Sequence, residues 1–420
     1  MLTPAAQAPA ARVQSGQAST AQAGASRPVT QAPATDSSTG CTVRTAPPPP
    51  IDHSEVPKPG QPALGPLPMP AKPVGGPRMA ECADILPANA PPLPAGESSA
   101  SWVLADLDSG AVLAARNPHA RERPASCLKI LTSLVVLDKL SMDTDVEGTQ
   151  QDANVDGSRV GVGPQGHYTV RQLLTGLIMN SGNDAANALA RQMGGVPATL
   201  AAMTAKAREL GALDTRPTTP SGLDAQGMAT SAYDLAVFYR QVIKDPTFAE
   251  ISRTRLFQWP GHGDQPGFMV SSDNKMLASY PGTIGGKTGF TDDARHTRIA
   301  AAERHGRRLV VVLMRGEQHP VAMDTQAARL LDYGFALPAA TPPVGQVVDR
   351  APADTSSGDS DTGDTSDEAA ASGAPATHGS RTKALLTIGG GALLGIALSV
   401  FIARRRRPGA GGRHTVQALD

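Results

Sequence analysis

Two strand pairs, set at opposite ends of one apolar region, constrain this 420-residue chain more than any other feature it carries. Residues 103–107 and 111–115 flank Asp108-Ser109-Gly110, while 297–302 and 309–314 flank His305-Gly306-Arg307, and both patterns read as hairpins. Between them, apolar residues recur with helical spacing over 126–140, 170–179, 184–193, 198–210 and 231–243, and a last helix is expected over 323–331. An antiparallel sheet drawn from both ends, flanked by helices and carrying an all-helical subregion from the middle, is an α+β domain rather than a parallel one.

Only residues 96–340 hold enough apolar side chains to bury a core, so one globular domain is expected. Residues 1–95 are crowded with proline and alanine, including Pro47 through Pro50, show no periodicity and read as a disordered leader. Residues 341–382, rich in Asp, Ser, Thr and Gly, read as a disordered acidic linker. A transmembrane helix is expected over 383–403, where 384–403 are 20 consecutive uncharged, mostly apolar residues. That length crosses roughly 30 Å of hydrocarbon. Arg404 to Arg407 open a basic tail over 404–420, expected to stay cytoplasmic, which places the domain outside the cell on a single-pass anchor in the cell membrane. Such a domain needs an export signal. The opening MLTPAAQAPAARVQ has neither a charged n-region nor an apolar h-region, so the true start is expected upstream of Met1. Lys plus Arg balance Asp plus Glu at 38 each, which gives no reason to expect nucleic acid as a partner. The three cysteines lack metal-site spacing, although Cys41 and Cys82 can pair in an oxidising compartment.

Three short elements carry chemistry. Ser126-Cys127-Leu128-Lys129 follows Pro124, which suits a helix start, and opens an apolar helix. Residues three apart share a helix face, so Lys129 would stand beside the Ser126 hydroxyl, placed to take its proton. A free lysine titrates near ~10.4, so the site must depress Lys129 by burial or by nearby positive charge, which a second lysine can supply. Ser272-Asp273-Asn274-Lys275 repeats the S-x-x-K spacing, but no apolar helix follows it, and it reads as a loop or strand edge.

The second element, Met179-Asn180-Ser181-Gly182-Asn183-Asp184, lies between two helical segments. Ser181 can relay a proton there and Asn183 can donate to a substrate carbonyl, although an ordinary helix cap uses the same residue types. The third, Gly285-Gly286-Lys287-Thr288-Gly289-Phe290-Thr291, precedes the second hairpin. Its small residues let a substrate backbone approach a sheet edge, and Lys287 and Thr288 offer positive charge and a hydroxyl to a carboxylate; a plain glycine-rich turn is the alternative.

In order, with 55 residues from Ser126 to Ser181 and 106 from Ser181 to Lys287, these are the S-x-x-K, S-x-N and K-T-G set of penicillin-binding proteins and β-lactamases. The surrounding RPASCLKILTSLVVLD, LLTGLIMNSGNDAANALA, PSGLDAQGMATSAYDLAVFYR and IGGKTGFTDDARHT resemble the D-alanyl-D-alanine carboxypeptidase family, the low-molecular-mass penicillin-binding proteins, over roughly 96–340. The long leader and Arg-capped helix are similar to its actinobacterial, membrane-anchored members. The resemblance implies a β-lactamase/transpeptidase-like fold with its site in the cleft between sheet and helices. It implies Ser126 as the acylated nucleophile, Lys129 as its base and Ser181 as a further catalytic residue. Asn183, Lys287, Thr288, Gly289 and Phe290 are then substrate-binding, with an oxyanion hole made by the backbone N–H groups of Ser126 and Phe290. Three departures stand out. Cys127 replaces the family's usual threonine or serine and is expected to pack away from substrate. A linker follows where many members carry a β-rich domain. No Glu-x-x-Leu-Asn segment, with which class A β-lactamases activate deacylating water, lies between Asn183 and Lys287.

The implied reaction is acyl transfer on the peptidoglycan stem pentapeptide, with β-lactam antibiotics as covalent inhibitors and no metal or cofactor. Two alternatives remain open. A serine β-lactamase shares all three motifs, and a weakly catalytic penicillin-binding wall scaffold would keep them without using them. A zinc peptidase would need clustered histidine and acidic ligands, and the nine histidines show no such grouping in the sequence.

Overall fold

The structure, a computed structural model, describes residues 44–353 apart from residue 58. The expected transmembrane helix over 383–403, the basic tail and residues 1–43 lie outside them. Among the described residues no helix is long and apolar enough to cross a membrane.

The strands are β1 Asp84–Ile85, β2 Ser101–Asp106, β3 Ala111–Arg116, β4 Asp145–Glu147, β5 His167–Thr169, β6 Leu256–Trp259, β7 Phe268–Ser271, β8 Thr283–Thr291, β9 Arg295–Arg304, β10 Arg307–Gly316 and β11 Gly345–Gln346. Strands β2/β3 and β9/β10 are the two expected hairpins. The first turn is closed by the Asp106 carboxylate, which accepts from the N–H groups of Asp108 and Ser109 and the Ser109 hydroxyl at 3.1, 2.9 and 2.8 Å. In the second, Arg304 pairs with Arg307 across a two-residue turn. The hairpins join through β2 and β10, with Ser101 opposite Met314 and Asp106 opposite Leu309. The sheet runs β1-β3-β2-β10-β9-β8, antiparallel throughout, and β11 also pairs β3. Among the described residues β8 ends the order, leaving its outer edge without a strand partner.

Both sheet faces are covered, which explains why β10 reads as the unbroken apolar run Leu309 to Met314. Leu309, Val311 and Leu313 meet Trp102, Leu104, Leu330 and Leu331 on one side. Val310, Val312 and Met314 meet Val103, Ile299 and the helical region on the other. The helices are α1 Lys129–Lys139, α2 Gln150–Ala153, α3 Val170–Met179, α4 Asn183–Gln192, α5 Val196–Glu209, α6 Ala232–Val242, α7 Pro246–Arg253, α8 Met276–Ser279 and α9 Met323–Ala336. Helix α6 packs on β2 and β10, and α9 covers the opposite face on β9 and β10. The start of α3 is fixed by a capping box in which the Thr169 hydroxyl accepts from Gln172 N–H and the Gln172 side chain returns to Thr169 N–H. Such a cap is worth about 1 kcal/mol.

The reading of 1–95 and 341–382 as disordered is corrected for their described parts. Ile85 is fully buried in β1, Val74 and Met79 are buried, and at the other end Val344 and Val347 flank β11 in the core. The proline-rich stretch orders for a reason invisible to composition. A chain poor in N–H donors still offers carbonyls, and distant arginines satisfy them. The Arg121 guanidinium donates to the carbonyls of Thr45, Leu67 and Pro68 at 2.9, 2.5 and 2.8 Å, and Arg216 to Gly65 at 2.9 Å. Cys82 is disulfide-bonded. Cys41, the other half of the expected pair, lies outside the described residues.

Candidate active site

Ser126 lies on a 3-10 turn, Ala125–Leu128, and α1 begins only at Lys129, where the sequence suggested one helix from 126. The difference favours the expected chemistry, because residues i and i+3 eclipse in a 3-10 turn. Lys129 Nζ lies 2.9 Å from Ser126 Oγ. It also lies 2.7 Å from Asn183 Oδ1 and 2.7 Å from the Ser221 carbonyl oxygen. A neutral amine has two N–H groups for those two acceptors and one lone pair for the serine hydroxyl. Burial, and then the charge of Lys287, hold the Lys129 pKa well below the ordinary lysine value.

Two backbone features hold the turn in place. Ala125, just before Ser126, has φ 45°, left-handed for a residue with a side chain; such strain costs of order 1–3 kcal/mol and persists only where surroundings enforce it. The loop carrying Ser221 enforces it here: at Gly222 (φ 86°) a Cβ would sit 1.9 Å from the Ala125 carbonyl oxygen, so no side chain fits.

On the helical side, Ser181 is buried at φ 58° between α3 and α4. Asn183 opens α4, and its Nδ2 donates to the Asp156 carbonyl at 2.7 Å while its N–H donates to Ser158 O at 2.8 Å. One amide hydrogen expected for substrate is therefore engaged by the protein, and the oxygen of Asn183 orients Lys129. The next residue, Asp184, had no role assigned from sequence. Its carboxylate accepts the N–H groups of Val160, Gly161, Val162 and Ala185 at 3.0, 2.8, 2.9 and 2.9 Å, pinning the 158–162 loop against the motif.

On the sheet side, Lys287 is buried in β8, its Nζ donating to Thr288 O at 2.9 Å. Burial lowers its pKa to about 8, with Cys127 and Asp273 pulling the other way. The positive charge expected of Lys287 is thus conditional on pH. Thr288 stands opposite Arg298 in the ladder. A Cβ on Gly289 would lie 2.8 Å from Ser126 N and 2.3 Å from Thr297 Oγ1, so β8 passes directly against the N–H of Ser126. The Thr297 hydroxyl donates to Pro124 O at 2.9 Å and ties β9 to the same turn. Phe290 is half exposed, its ring 4.6 Å from that of His296. Cys127 is buried with Sγ 3.5 Å from Lys287 O. The second S-x-x-K opens no long helix but borders this arrangement, in the loop after β7, with Asp273 N–H donating to Met179 O at 2.8 Å and Asn274 Oδ1 accepting from Arg298 at 2.6 Å.

The absence of a histidine–acid grouping in the sequence is corrected by the fold, which gathers His119, Asp214 and Asp234 with ligand-type atoms within 4.8 Å. The cluster is already engaged. His119 Nδ1 faces Asp214 Oδ2 at 2.6 Å and Nε2 faces the Val74 carbonyl at 3.0 Å, while Arg121 donates to Asp214 at 3.2 Å. Both ring nitrogens face acceptors, so both donate, and the imidazolium has no lone pair for a metal. Burial opposes that charge, but the Asp214 bond outweighs it and raises the His119 pKa.

A sequence profile of a family described as D-alanyl-D-alanine carboxypeptidase matches residues 88–318. D-alanyl-D-alanine carboxypeptidase DacB2 of Mycobacterium tuberculosis is 46% identical over 261 residues, 61% of this chain and 88% of that protein. DacF of Bacillus subtilis, also a D-alanyl-D-alanine carboxypeptidase, is 31% identical over 241 residues, 56% of this chain and 61% of that protein. The crystal structure of a D-alanyl-D-alanine carboxypeptidase from Mycobacterium tuberculosis superposes with TM-score 0.60 at 44% identity, covering 62% of this chain and 99% of that one. The Streptomyces K15 DD-transpeptidase superposes with TM-score 0.56 at 26% identity, covering 60% and 100%.

Proposed function

The chain belongs to the D-alanyl-D-alanine carboxypeptidase family, and from that premise we propose that it removes the terminal D-alanine of peptidoglycan stem pentapeptides through an acyl-enzyme on Ser126. The observation that carries this reading is Lys129 Nζ, 2.9 Å from Ser126 Oγ and bonded otherwise to Asn183 Oδ1 and the Ser221 carbonyl, in a setting whose burial pushes its pKa well below the ordinary lysine value. The peptide lies along the free edge of β8 as an added strand, its terminal carboxylate at Lys287 and Thr288. Ser126 Oγ bonds to the D-Ala-D-Ala carbonyl carbon as its proton passes to Lys129. The carbonyl electron pair moves onto the oxygen, which faces the N–H groups of Ser126 and Phe290. The C–N bond then breaks, the leaving amine takes the proton from Lys129 with Ser181 as relay, and water hydrolyses the ester. A β-lactam acylates the same oxygen.

Peptide mapping after exposure to labelled penicillin is expected to find the adduct on Ser126 and none on Ser272, and the unlabelled protein is expected to release D-alanine from a pentapeptide while turning over a chromogenic cephalosporin slowly. Fast cephalosporin hydrolysis without D-alanine release would make the chain a β-lactamase. An adduct on Ser272 would overturn the site.

Anchoring to the membrane, with the domain outside the cell, belongs to the same proposal and is supported by the apolar run at 384–403 and Arg404 to Arg407. A protein ending after residue 353 keeps β11 and the ion pair of Asp349 with Lys244 at 2.7 Å. It is expected to be soluble and to bind penicillin at the full-length rate. Retention of that shortened protein on membranes would point to a different anchor.

A further inference from the structure

We infer that the proline-rich segment 44–87, which precedes the span matched by the family profile, staples together the two backbone segments that supply the oxyanion hole. The inference rests on the acyl-transfer reading and makes Glu55, Arg123 and Asp293 positioning residues for it. Arg123 belongs to the nucleophile's own segment, three residues before Ser126. Its buried guanidinium pairs with Glu55 and donates to the Pro48 carbonyl at 2.8 Å. Asp293 belongs to the turn between β8 and β9, three residues after Phe290. Its carboxylate accepts the Ile51 N–H at 2.6 Å and lies 3.5 Å from the Ser54 hydroxyl. One stretch of eight residues, 48–55, therefore grips the Ser126 side through Arg123 and the Phe290 side through Asp293.

The strap is itself fixed away from the site. Besides the contacts of Arg121 and Arg216, His119 reaches the Val74 carbonyl at 3.0 Å and Gln226 the Pro62 carbonyl at 3.2 Å. These anchors fall on both sides of the 48–55 stretch, Thr45 before and Pro62 to Val74 after, so the stretch is held between fixed points. Oxyanion donors act only within about 2.7–3.1 Å of the developing charge, and a misplacement of about 1 Å is worth on the order of a hundredfold in rate. Loss of one grip should move the two segments by less, so about tenfold is expected.

The test uses the full-length protein. Ile51→Pro deletes the N–H that Asp293 accepts, at a side chain 72% exposed that follows four prolines. Asp293→Ala deletes the acceptor, while Asp293→Asn keeps an oxygen there. With labelled penicillin, Ile51→Pro and Asp293→Ala should each slow acylation about tenfold at nearly unchanged Tm, Asp293→Asn should stay within about twofold of the unmutated protein, and the double variant should be no slower than Asp293→Ala, which already removes the bond that Ile51→Pro breaks along with the Ser54 contact. Unchanged rates in both single variants, multiplying losses in the double, or an Asp293→Asn as slow as Asp293→Ala would overturn the staple. Should either variant fail to fold, Glu55→Gln makes the same comparison from the Arg123 grip, with a severalfold loss expected and none overturning it. An unmutated protein that never acylates would count against the acyl-transfer reading instead.

Discussion

Lys129→Met is expected to slow acylation of Ser126 by on the order of 10³–10⁴ while moving Tm by no more than a few degrees. The rate loss follows from geometry: Nζ, 2.9 Å from Ser126 Oγ, is the proposed base, and methionine fills its volume without a lone pair for the proton. The stability argument sets two effects against each other. Removing Nζ leaves Asn183 Oδ1 and the Ser221 carbonyl without that donor, at about 1–3 kcal/mol each. In return, folding no longer has to hold a buried lysine well below its unfolded pKa near ~10.4, a penalty that offsets part of that loss. The sign can be checked by titration. A folded-state pKa depressed below the unfolded one means the unfolded chain binds more protons, so Lys129 contributes stability that rises with pH toward ~10.4, and the variant should show a shallower rise. Stopped-flow acylation with calorimetry over pH measures both. More than a tenth of the original rate would remove Lys129 as the base, and a melting loss of tens of degrees would make its role structural.

What sequence could and could not show divides along one physical line. Ser126 with Lys129, Ser181 with Asn183, and Lys287 with Thr288 are local pairs, each carried by one short element, so the sequence displays them, although Ser272 to Lys275 repeats the first spacing and only the ordered set of three sets the pairs apart. The two hairpins are legible for the same reason, since Asp108-Ser109-Gly110 and His305-Gly306 sit inside their own turns. The groups that tune these pairs come from far away. Ser221 acts through its backbone carbonyl, which any residue has, so its identity carries no signal. The role of Gly222 depends on the approach of Ala125, 97 positions earlier. Arg121 and Arg123 look like ordinary surface charges until the fold lays prolines against them, and β1 and β11, each two residues long, are too short for any period to appear. Asp184 is the nearest miss. It stood within the quoted motif, and an acid at the first turn of a helix is an ordinary sight; only the fold shows that its four N–H partners include a loop more than twenty residues away.

Lys287→Met is expected to lower kcat/KM on a D-Ala-D-Ala pentapeptide by on the order of tenfold to a hundredfold, the worth of a charge-assisted contact to the terminal carboxylate, while leaving the protein equally or more stable. Lys287 is 1% exposed, yet at neutral pH it is still mostly charged because its pKa is lowered only to about 8. Keeping that buried ammonium disfavours folding by on the order of 3 kcal/mol, in full below pH 8 and fading between pH 8 and the unfolded value near ~10.4. Methionine removes the penalty and gives up the bond to Thr288 O. The same titration shapes the catalytic profile. The acid limb of kcat/KM belongs to Lys129, which must lose its proton to act as base, and the alkaline limb, near pH 8, to Lys287, which must keep its proton to hold the carboxylate. In Lys287→Met the acid limb should persist but move to higher pH, because the charge that helps depress Lys129 is gone, and the alkaline limb near pH 8 should disappear. A profile that keeps its alkaline limb, or a kcat/KM within twofold of the original, would take Lys287 out of substrate binding, whatever the melting temperature did.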